Sequence, residues 1–359
     1  MNRVPVFRPT VRRAGMDSVL GCLVTDEIGP GDRARELAAT VARALGMAGG
    51  IALADYRMAL SCALTTIDVP AGSRVLCSAL APLAHRGAVE ASGLVPVVVD
   101  VSAESGVMDL DAADEARGGA RAALLDHTLG FIPDLTRVGT WDLPVIEDVT
   151  CSLGGYDGDA APGPRADLVV VSLAETALLT AAGGALLLCR TNALLASARE
   201  AAADRAEPLA DLNAALALAQ LKRYDGDMQT RRTIRDAYHA AITRTRHRTL
   251  SLPHGADENL QVPFSYPVVV ADGAREVQRY AARARIDTRQ AYGGSIVAGG
   301  GATNGAAVDV PDGAPGEVHP AGACPAADSL ARRCVLFPLY PLLGDGQVEV
   351  IAKILATLP

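Results

Sequence analysis

Residues 167–189, DLVVVSLAETALLTAAGGALLLC, contain the longest apolar run of the chain and decide its fold. The run is almost long enough to cross a membrane, but Glu175 interrupts it, and Gly183 and Gly184 punctuate it. Aliphatic blocks, VVV and LLL, stand on either side of the interruption. This pattern is typical of two buried strands around a turn, so we expect no membrane span here.

Short apolar runs alternate with helical patterns along the first half of the chain. Examples are RVLCSAL, LVPVVVDV, AALLDH and PVIEDV, with HRGAVEAS as a helical stretch between two of them. The alternation predicts an α/β fold with a mostly parallel sheet covered by helices on both faces. Active residues in such sheets lie at the carboxyl ends of strands. Seven polar residues fall there: Asp126, His127, Glu147, Asp148, Cys151, Ser172 and Glu175.

Composition excludes several classes of protein. Half of the 359 residues are apolar, which is enough for a sizeable core. The net charge of −8 and the absence of a basic run argue against nucleic-acid binding. Seven cysteines without C-x-x-C spacing predict neither a disulfide framework nor a metal site, and the N-terminal residues have no signal-peptide pattern. We therefore expect a cytoplasmic protein that does not associate with membranes.

Several segments resemble the DegT/DnrJ/StrS sugar aminotransferases, which are pyridoxal 5′-phosphate (PLP) enzymes of fold type I. Residues 51–101 are similar to the early part of that family, residues 123–135 (ALLDHTLGFIPDL) to its VHLYG…D segment, and residues 145–155 (VIEDVTCSLGG) to VIEDAAQALGA. Residues 167–189 resemble the segment that carries its lysine. Two later blocks match as well: LNAALALAQLKRYDGDMQTRRTIRDAY and CPAADSLARRCVLFPLYPLLGDGQVEVIAKIL.

The resemblance implies an aspartate-aminotransferase-like large domain, with a mostly parallel sheet between helices, over residues 1–245. It implies a smaller C-terminal α+β domain over residues 246–359. It also implies a dimer, either with a second copy or with a paralogue. Residues 293–327 are rich in Gly, Ala and Pro, and we expect a long loop that either acts as a lid or is simply flexible.

The residues that perform the family's chemistry differ in this chain. The only lysines are Lys222 and Lys353, and the resemblance places Ala177 where the Schiff-base lysine belongs. Asp55, Tyr56 and Arg57 stand at the family's phosphate-binding turn. Ala81 or Leu80 stands where an aromatic residue stacks on the cofactor ring, and Cys151 replaces a polar residue after the pyridine-binding Asp. Of this set, only that Asp remains, as Asp148. We therefore expect that PLP binding is lost, that no cofactor is used, and that the chain is not a PLP aminotransferase.

The vacated pocket then offers two sets of candidate residues. Cys151, His127, Glu175 and Asp148 are predicted to act as nucleophile, acids and bases. Asp55, Tyr56, Arg57, His85 and Ser172 are predicted to bind a substrate. The alternatives stay open that Cys151 is a small buried hydrophobic residue, that His127 is structural, and that Arg57 only pairs with Asp55.

The predicted function is that of a PLP-independent enzyme in specialised, natural-product metabolism. It would perform acid-base or covalent chemistry, such as cyclisation, dehydration or condensation, on a small polar metabolite. One alternative is a non-catalytic subunit that pairs with or regulates an active aminotransferase paralogue. Another is a dehydratase that holds PLP without a covalent bond.

Overall fold

A seven-stranded sheet forms the centre of the larger region of the molecule. The computed structural model describes residues 3–155, 163, 165–252, 261–271, 273–299 and 323–359. The strands are β1 (Gly49–Leu53), β2 (Arg74–Ser78), β3 (Val95–Val99), β4 (Ala120–Asp126), β5 (Val145–Asp148), β6 (Leu168–Ser172) and β7 (Ala185–Cys189). Their order is β1-β7-β6-β5-β4-β2-β3, and only the two pairs that include β7 are antiparallel. The predicted α/β fold with a mostly parallel sheet is confirmed.

The hairpin of β6 and β7 is built from the long apolar run. Both strands are buried along their whole length and pair from Leu168 opposite Cys189 onwards. Gly184 has a φ of +86°, and a Cβ atom there would lie 2.7 Å from the carbonyl oxygen of Leu53, so glycine is required for this close approach. The prediction of two buried strands around a turn is confirmed. Among the described residues, no helix has the length and apolar character that a membrane crossing requires.

Helices cover both faces of this sheet. They are α1 (Arg13–Val24), α2 (Asp32–Ala44), α3 (Tyr56–Thr66), α4 (Leu83–Ala91), α5 (Leu110–Ala116), α6 (Leu135–Val138), α7 (Asn192–Ala203), α8 (Asp211–Leu221) and α9 (Tyr224–Ile242). The side chains of strand β6 alternate between the two faces of the sheet. Val169 and Val171 pack in the core on the side of α2 and α8. Leu168 and Val170 pack in the core on the side of α3, α4 and α7. This alternation is the period of two that a strand buried on both faces requires.

A smaller antiparallel sheet forms the C-terminal region. Its strands are β8 (Arg248–Thr249), β9 (Tyr266–Val269), β10 (Arg289–Gln290) and β11 (Cys334–Phe337), in the order β10-β11-β9-β8. Helices α10 (Ala274–Arg283), α11 (Pro325–Arg333) and α12 (Asp345–Ala356) accompany it. The smaller α+β region is thus as expected, while the exact boundary between residues 245 and 246 stays a prediction. Residues 300–322 of the predicted long loop lie outside the described residues.

Arg231 connects α9 to the smaller region. Its buried Nη1 donates hydrogen bonds to the carbonyl oxygens of Pro263 at 3.2 Å, Phe264 at 2.9 Å and Leu339 at 2.8 Å. Burial lowers the pKa of Arg231 to about 10, which still leaves the guanidinium charged at neutral pH. Because Tyr238 of α9 also packs in the core of the smaller region, this helix is shared by the two regions.

Candidate functional site

Three buried side chains from separate segments meet at the carboxyl end of β5. Asp148 is the last residue of β5, Tyr56 is the first of α3, and His85 lies in the first turn of α4. The Tyr56 hydroxyl donates a hydrogen bond to Oδ2 of Asp148. His85 Nε2 lies 3.0 Å from the same oxygen and 2.9 Å from the Tyr56 hydroxyl. We call Tyr56, His85 and Asp148 the carboxylate cluster.

The other oxygen of Asp148 is held by Thr150. Its backbone N–H donates to Oδ1 at 2.9 Å, and its hydroxyl donates to the same atom. Burial raises the pKa of Asp148, but hydrogen bonding and charge from His85, with hydrogen bonds from Thr150 and Tyr56, outweigh burial and leave this pKa below its usual value. Asp148 is therefore a buried carboxylate with hydrogen bonds to both oxygens.

Tyr56 donates as a neutral phenol. Burial, followed by the charge of Asp148, raises the pKa of Tyr56 well above its usual value, so the hydroxyl keeps its proton. The side chain of His85 is completely buried, and its Nδ1 has no hydrogen-bond partner within the described ranges. The carboxylate cluster thus holds one negative charge next to two side chains that can donate hydrogen bonds to it.

The neighbouring strand brings two more titratable groups to this end of the sheet. Asp126 of β4 lies opposite Asp148 in the ladder, and burial raises the pKa of Asp126 to about 6. His127 Nδ1 lies 2.6 Å from Oγ of Ser152, and its Nε2 lies 3.7 Å from Oε2 of Glu147. Burial lowers the pKa of His127 to about 4, so this imidazole is neutral at pH 7.

The four predicted catalytic residues do not form one hydrogen-bonded set. Burial, with the charges of Asp148 and Asp126 next, raises the pKa of the Cys151 thiol well above its usual value, which opposes thiolate formation. No side-chain hydrogen bond joins Cys151 to His127 in the described part of the chain. Glu175 lies apart from both, exposed at the wall of a separate cavity.

The predicted binding residues have different surroundings. Asp55 accepts a hydrogen bond from the backbone N–H of Met58 at 2.9 Å and caps α3, and the described residues include no ion pair between it and half-buried Arg57. Ser172 is buried, and its Oγ accepts from the N–H of Ala174 at 3.3 Å. Ala177 is half-buried in the β6–β7 connection. Tyr56 and His85 complete the predicted set as members of the carboxylate cluster.

A second concave site was missed in the sequence. It is a cavity of about 850 Å³ with four arginines in its walls: Arg3, Arg275, Arg279 and Arg289. We call it the arginine cavity. The spacing of Arg275 and Arg279, one turn apart in a helical pattern, was the available signal. The N-terminal segment and β10 bring the other two arginines to it, which no local pattern indicates.

Comparisons with known proteins agree over almost the whole chain. A profile of the DegT/DnrJ/EryC1/StrS aminotransferase family matches residues 10–203 and 206–356. GDP-perosamine synthase of Caulobacter vibrioides is 25% identical over 293 residues, which are 76% of this chain and 78% of that protein. The solved aminotransferase TlmJ of Streptoalloteichus hindustanus has a TM-score of 0.85 at 21% identity and covers 98% of each chain. The putative sugar aminotransferase Spr1654 of Streptococcus pneumoniae, in its PLP form, has a TM-score of 0.83 at 19% identity, with 99% of this chain and 98% of the other covered.

The chain therefore belongs to the DegT/DnrJ/EryC1/StrS aminotransferase family. This assignment contradicts three predictions made from the sequence: that the chain is not a PLP aminotransferase, that it is a PLP-independent enzyme, and that it uses no cofactor. Those predictions were wrong because they treated changes at a few contact positions as the loss of the family's function. The non-catalytic subunit and the dehydratase are set aside on the same finding, since the matching profile is that of an aminotransferase family and one curated relative, of Bacillus subtilis, is named as a putative pyridoxal phosphate-dependent aminotransferase.

Proposed function

We propose that this chain is a PLP-dependent sugar aminotransferase that holds its cofactor without a covalent bond to the protein. The family assignment and the relative named GDP-perosamine synthase support amino transfer to a sugar, which is a small polar metabolite. The observation that carries the proposal is the buried carboxylate of Asp148, with its lowered pKa, at the end of β5.

Asp148 fits the pyridine ring of the cofactor. An ionised carboxylate pairs with a protonated ring nitrogen, and the charged ring supplies the electron sink that amino transfer needs. Thr150 would keep Oδ1 of Asp148 in place. Tyr56 and His85 both contact Oδ2, so these two side chains would have to give up that oxygen to the ring nitrogen.

Ala177 cannot form a covalent bond to the cofactor. The resemblance puts it at the position of the family's lysine, and a methyl side chain has no amine. Pyridoxamine 5′-phosphate, the amine form of the cofactor, carries its own amino group and needs no bond to the protein. We therefore expect the chain to bind the amine form at least as tightly as the aldehyde form.

Calorimetry with pyridoxamine 5′-phosphate and PLP tests this proposal. We expect wild-type protein to bind the amine form, Asp148→Asn to bind it at least about tenfold more weakly because the ion pair is lost, and the exposed control Asp204→Asn to bind it normally. Borohydride treatment with PLP should leave no stoichiometric adduct. Absence of binding of both forms to the wild-type protein would overturn the proposal, and a stoichiometric adduct would overturn non-covalent attachment.

An exposed apolar face of α1 supports pairing with a second copy of this chain. Met16, Leu20, Leu23 and Val24 are 51–83% exposed and recur at helical spacing. We expect light scattering to give the mass of a dimer for the wild-type protein and of a monomer for Leu20→Glu. A wild-type monomer would contradict the homodimer and favour a paralogue as partner.

A cytoplasmic location is also part of the proposal. All seven cysteines have free thiols, which supports a reducing compartment. Fractionation of cells that produce the tagged full-length chain tests this location, and recovery outside the cytoplasmic fraction would contradict it.

A further inference from the structure

Asp126 is a buried carboxyl group to which the proposed function gives no role. It is the last residue of β4 and lies opposite Asp148, the last residue of β5, in a parallel ladder. Leu124 and Ile146, two residues earlier in each strand, both pack in the core on the side of α3, α4 and α7. Because side chains alternate along a strand, Asp126 and Asp148 project from the same face of the sheet. Two carboxyl groups are therefore neighbours at this end of the sheet.

The two carboxyl groups differ in how their oxygens are satisfied. Both oxygens of Asp148 have hydrogen-bond donors. Asp126 is only 7% exposed, and the hydroxyl of Ser78 hydrogen-bonds to its carboxyl group. Its Oδ1 is buried and has no hydrogen-bond partner within the described ranges. A buried acceptor without a partner is unfavourable, so this side of the site is incomplete in the protein alone.

The groups that face Asp126 leave its charge largely unbalanced. Four of them stay neutral because burial raises their pKa values, and they come from β2, α3, the segment after β5 and the segment after β10: Cys77, Tyr56, Cys151 and Tyr292. The other two are Asp148 and His85 of α4. The Nε2 atom of His85 lies 3.0 Å from Oδ2 of Asp148. When Asp126 ionises, two negative charges therefore share this end of the sheet, and His85 can offset at most one of them.

Ionisation of Asp126 depends on the charge beside it. Burial raises the pKa of Asp126 to about 6, His85 opposes this rise, and the charge of Asp148 adds to it. A cation bound at Asp148 would favour the ionised form and lower the pKa of Asp126 again. By the same coupling, ionised Asp126 would hold that cation more tightly than protonated Asp126 does.

We infer that Asp126 is a second carboxylate of the cofactor site, and that it releases its proton to solvent when a positively charged ring binds beside Asp148. This role of Asp126 rests on the proposed function, because the protonated ring nitrogen of the cofactor supplies the cation. Asp126 acts through its charge, so it determines affinity and is not a catalytic residue. Its buried Oδ1 then belongs to a site whose charge is balanced only when the cation is bound.

Calorimetry with pyridoxamine 5′-phosphate over a range of pH tests the inference on the full chain. Ionised Asp126 favours the cation, so affinity should rise as the pH rises through about 6. Between about pH 5 and about pH 7.5, we expect the rise to be about tenfold larger for the wild-type protein than for Asp126→Asn, because asparagine does not ionise. The phosphate group of the ligand titrates equally in both experiments, so its contribution cancels. The exposed control Asp204→Asn should behave as the wild-type protein does.

The same titrations in two buffers of different ionisation enthalpy count the protons released on binding. At about pH 6, the wild-type protein should release about half a proton more per ligand bound than Asp126→Asn does. This count does not depend on amino transfer, and it is taken at a pH where Asp126 is partly protonated before the ligand is added.

The outcomes separate this inference from the proposed function. An extra rise in affinity and an extra proton, in the wild-type protein and in Asp204→Asn, support the inference. Binding with the same pH dependence and the same proton release in the wild-type protein and in Asp126→Asn overturns the inference and leaves the proposed function intact. A loss of affinity in Asp126→Asn that is equal at every pH also overturns it, because a charge would not act in that way. Absence of binding to the wild-type protein overturns both.

Discussion

The carboxylate cluster and the arginine cavity differ in whether their charged groups have partners within the protein. Asp148 is buried, and groups of the chain itself contact both of its oxygens: Tyr56 and His85 at Oδ2, and the backbone N–H and hydroxyl of Thr150 at Oδ1. Arg275 and Arg279 are exposed and have no ion pair among the described residues. A buried charge has to be matched from within the protein, whereas an open charge is free to meet a ligand. Substitutions in the carboxylate cluster should therefore lower the free energy of unfolding, and substitutions of these exposed arginines should leave it nearly unchanged.

His85→Ala should have the largest effect on stability. It removes a buried ring together with a hydrogen bond to an ionised carboxylate, and such losses cost about 3 kcal/mol. Urea denaturation measures the free energy of unfolding. Arg275→Gln is the matched control from the arginine cavity, and we expect it to stay within about 0.5 kcal/mol of the wild-type value. Equal stability of the two variants would contradict the claim that the carboxylate cluster contributes more to stability than the exposed arginines do.

Asp126→Asn should stabilise the protein above pH 6. The pKa of Asp126 rises from 3.8 to about 6 on folding, so the folded state favours the protonated form. The resulting stability is fully present below pH 3.8 and is lost as the pH rises to about 6. Asparagine does not ionise, and we expect a gain of about 2 kcal/mol at pH 7.5 that disappears near pH 4. Urea denaturation at both pH values measures it, and a gain at pH 4 as large as that at pH 7.5 would contradict this explanation.

Tyr56→Phe should separate stability from cofactor affinity. Removal of the hydroxyl takes a hydrogen bond from Asp148 and should lower the free energy of unfolding by about 1.5 kcal/mol. The same change removes one of the two side chains that compete for Oδ2, so binding of pyridoxamine 5′-phosphate should tighten by about tenfold. Denaturation and calorimetry on the same preparation measure the two effects. Weaker cofactor binding would mean that the Tyr56 hydroxyl contacts the cofactor rather than competing with it.

Much of the fold and part of the site could be predicted from the sequence. The run at residues 167–189 has the punctuation of a buried hairpin, and Asp148 follows a strand pattern that places it at the end of the sheet. The meeting of Tyr56 and His85 at one oxygen could not be predicted. This contact depends on how α3 and α4 are placed relative to each other and on the directions of their side chains. No local sequence pattern predicts that placement.

The error about function has a different origin. The prediction that the cofactor is lost rested on Ala177 together with the changes at the phosphate-binding turn, at the stacking position and at Cys151. The family assignment contradicts it, although Ala177 does lack the amine that forms the imine and moves the proton in amino transfer. Asp148, the residue that would face the ring nitrogen, was recognised in the sequence but given too little weight. The arginine cavity was missed because its walls come from residues as distant as Arg3 and Arg289.

The hydrogen bonds of Arg231 bear on how this protein can be divided for expression. A C-terminal fragment that begins at residue 246 would leave out Arg231 and expose the carbonyl oxygens of Pro263, Phe264 and Leu339 without their donor. It would also lose Tyr238 from its core. A fragment that starts at Tyr224, the first residue of α9, retains both residues and is the better choice if the smaller region is to fold by itself.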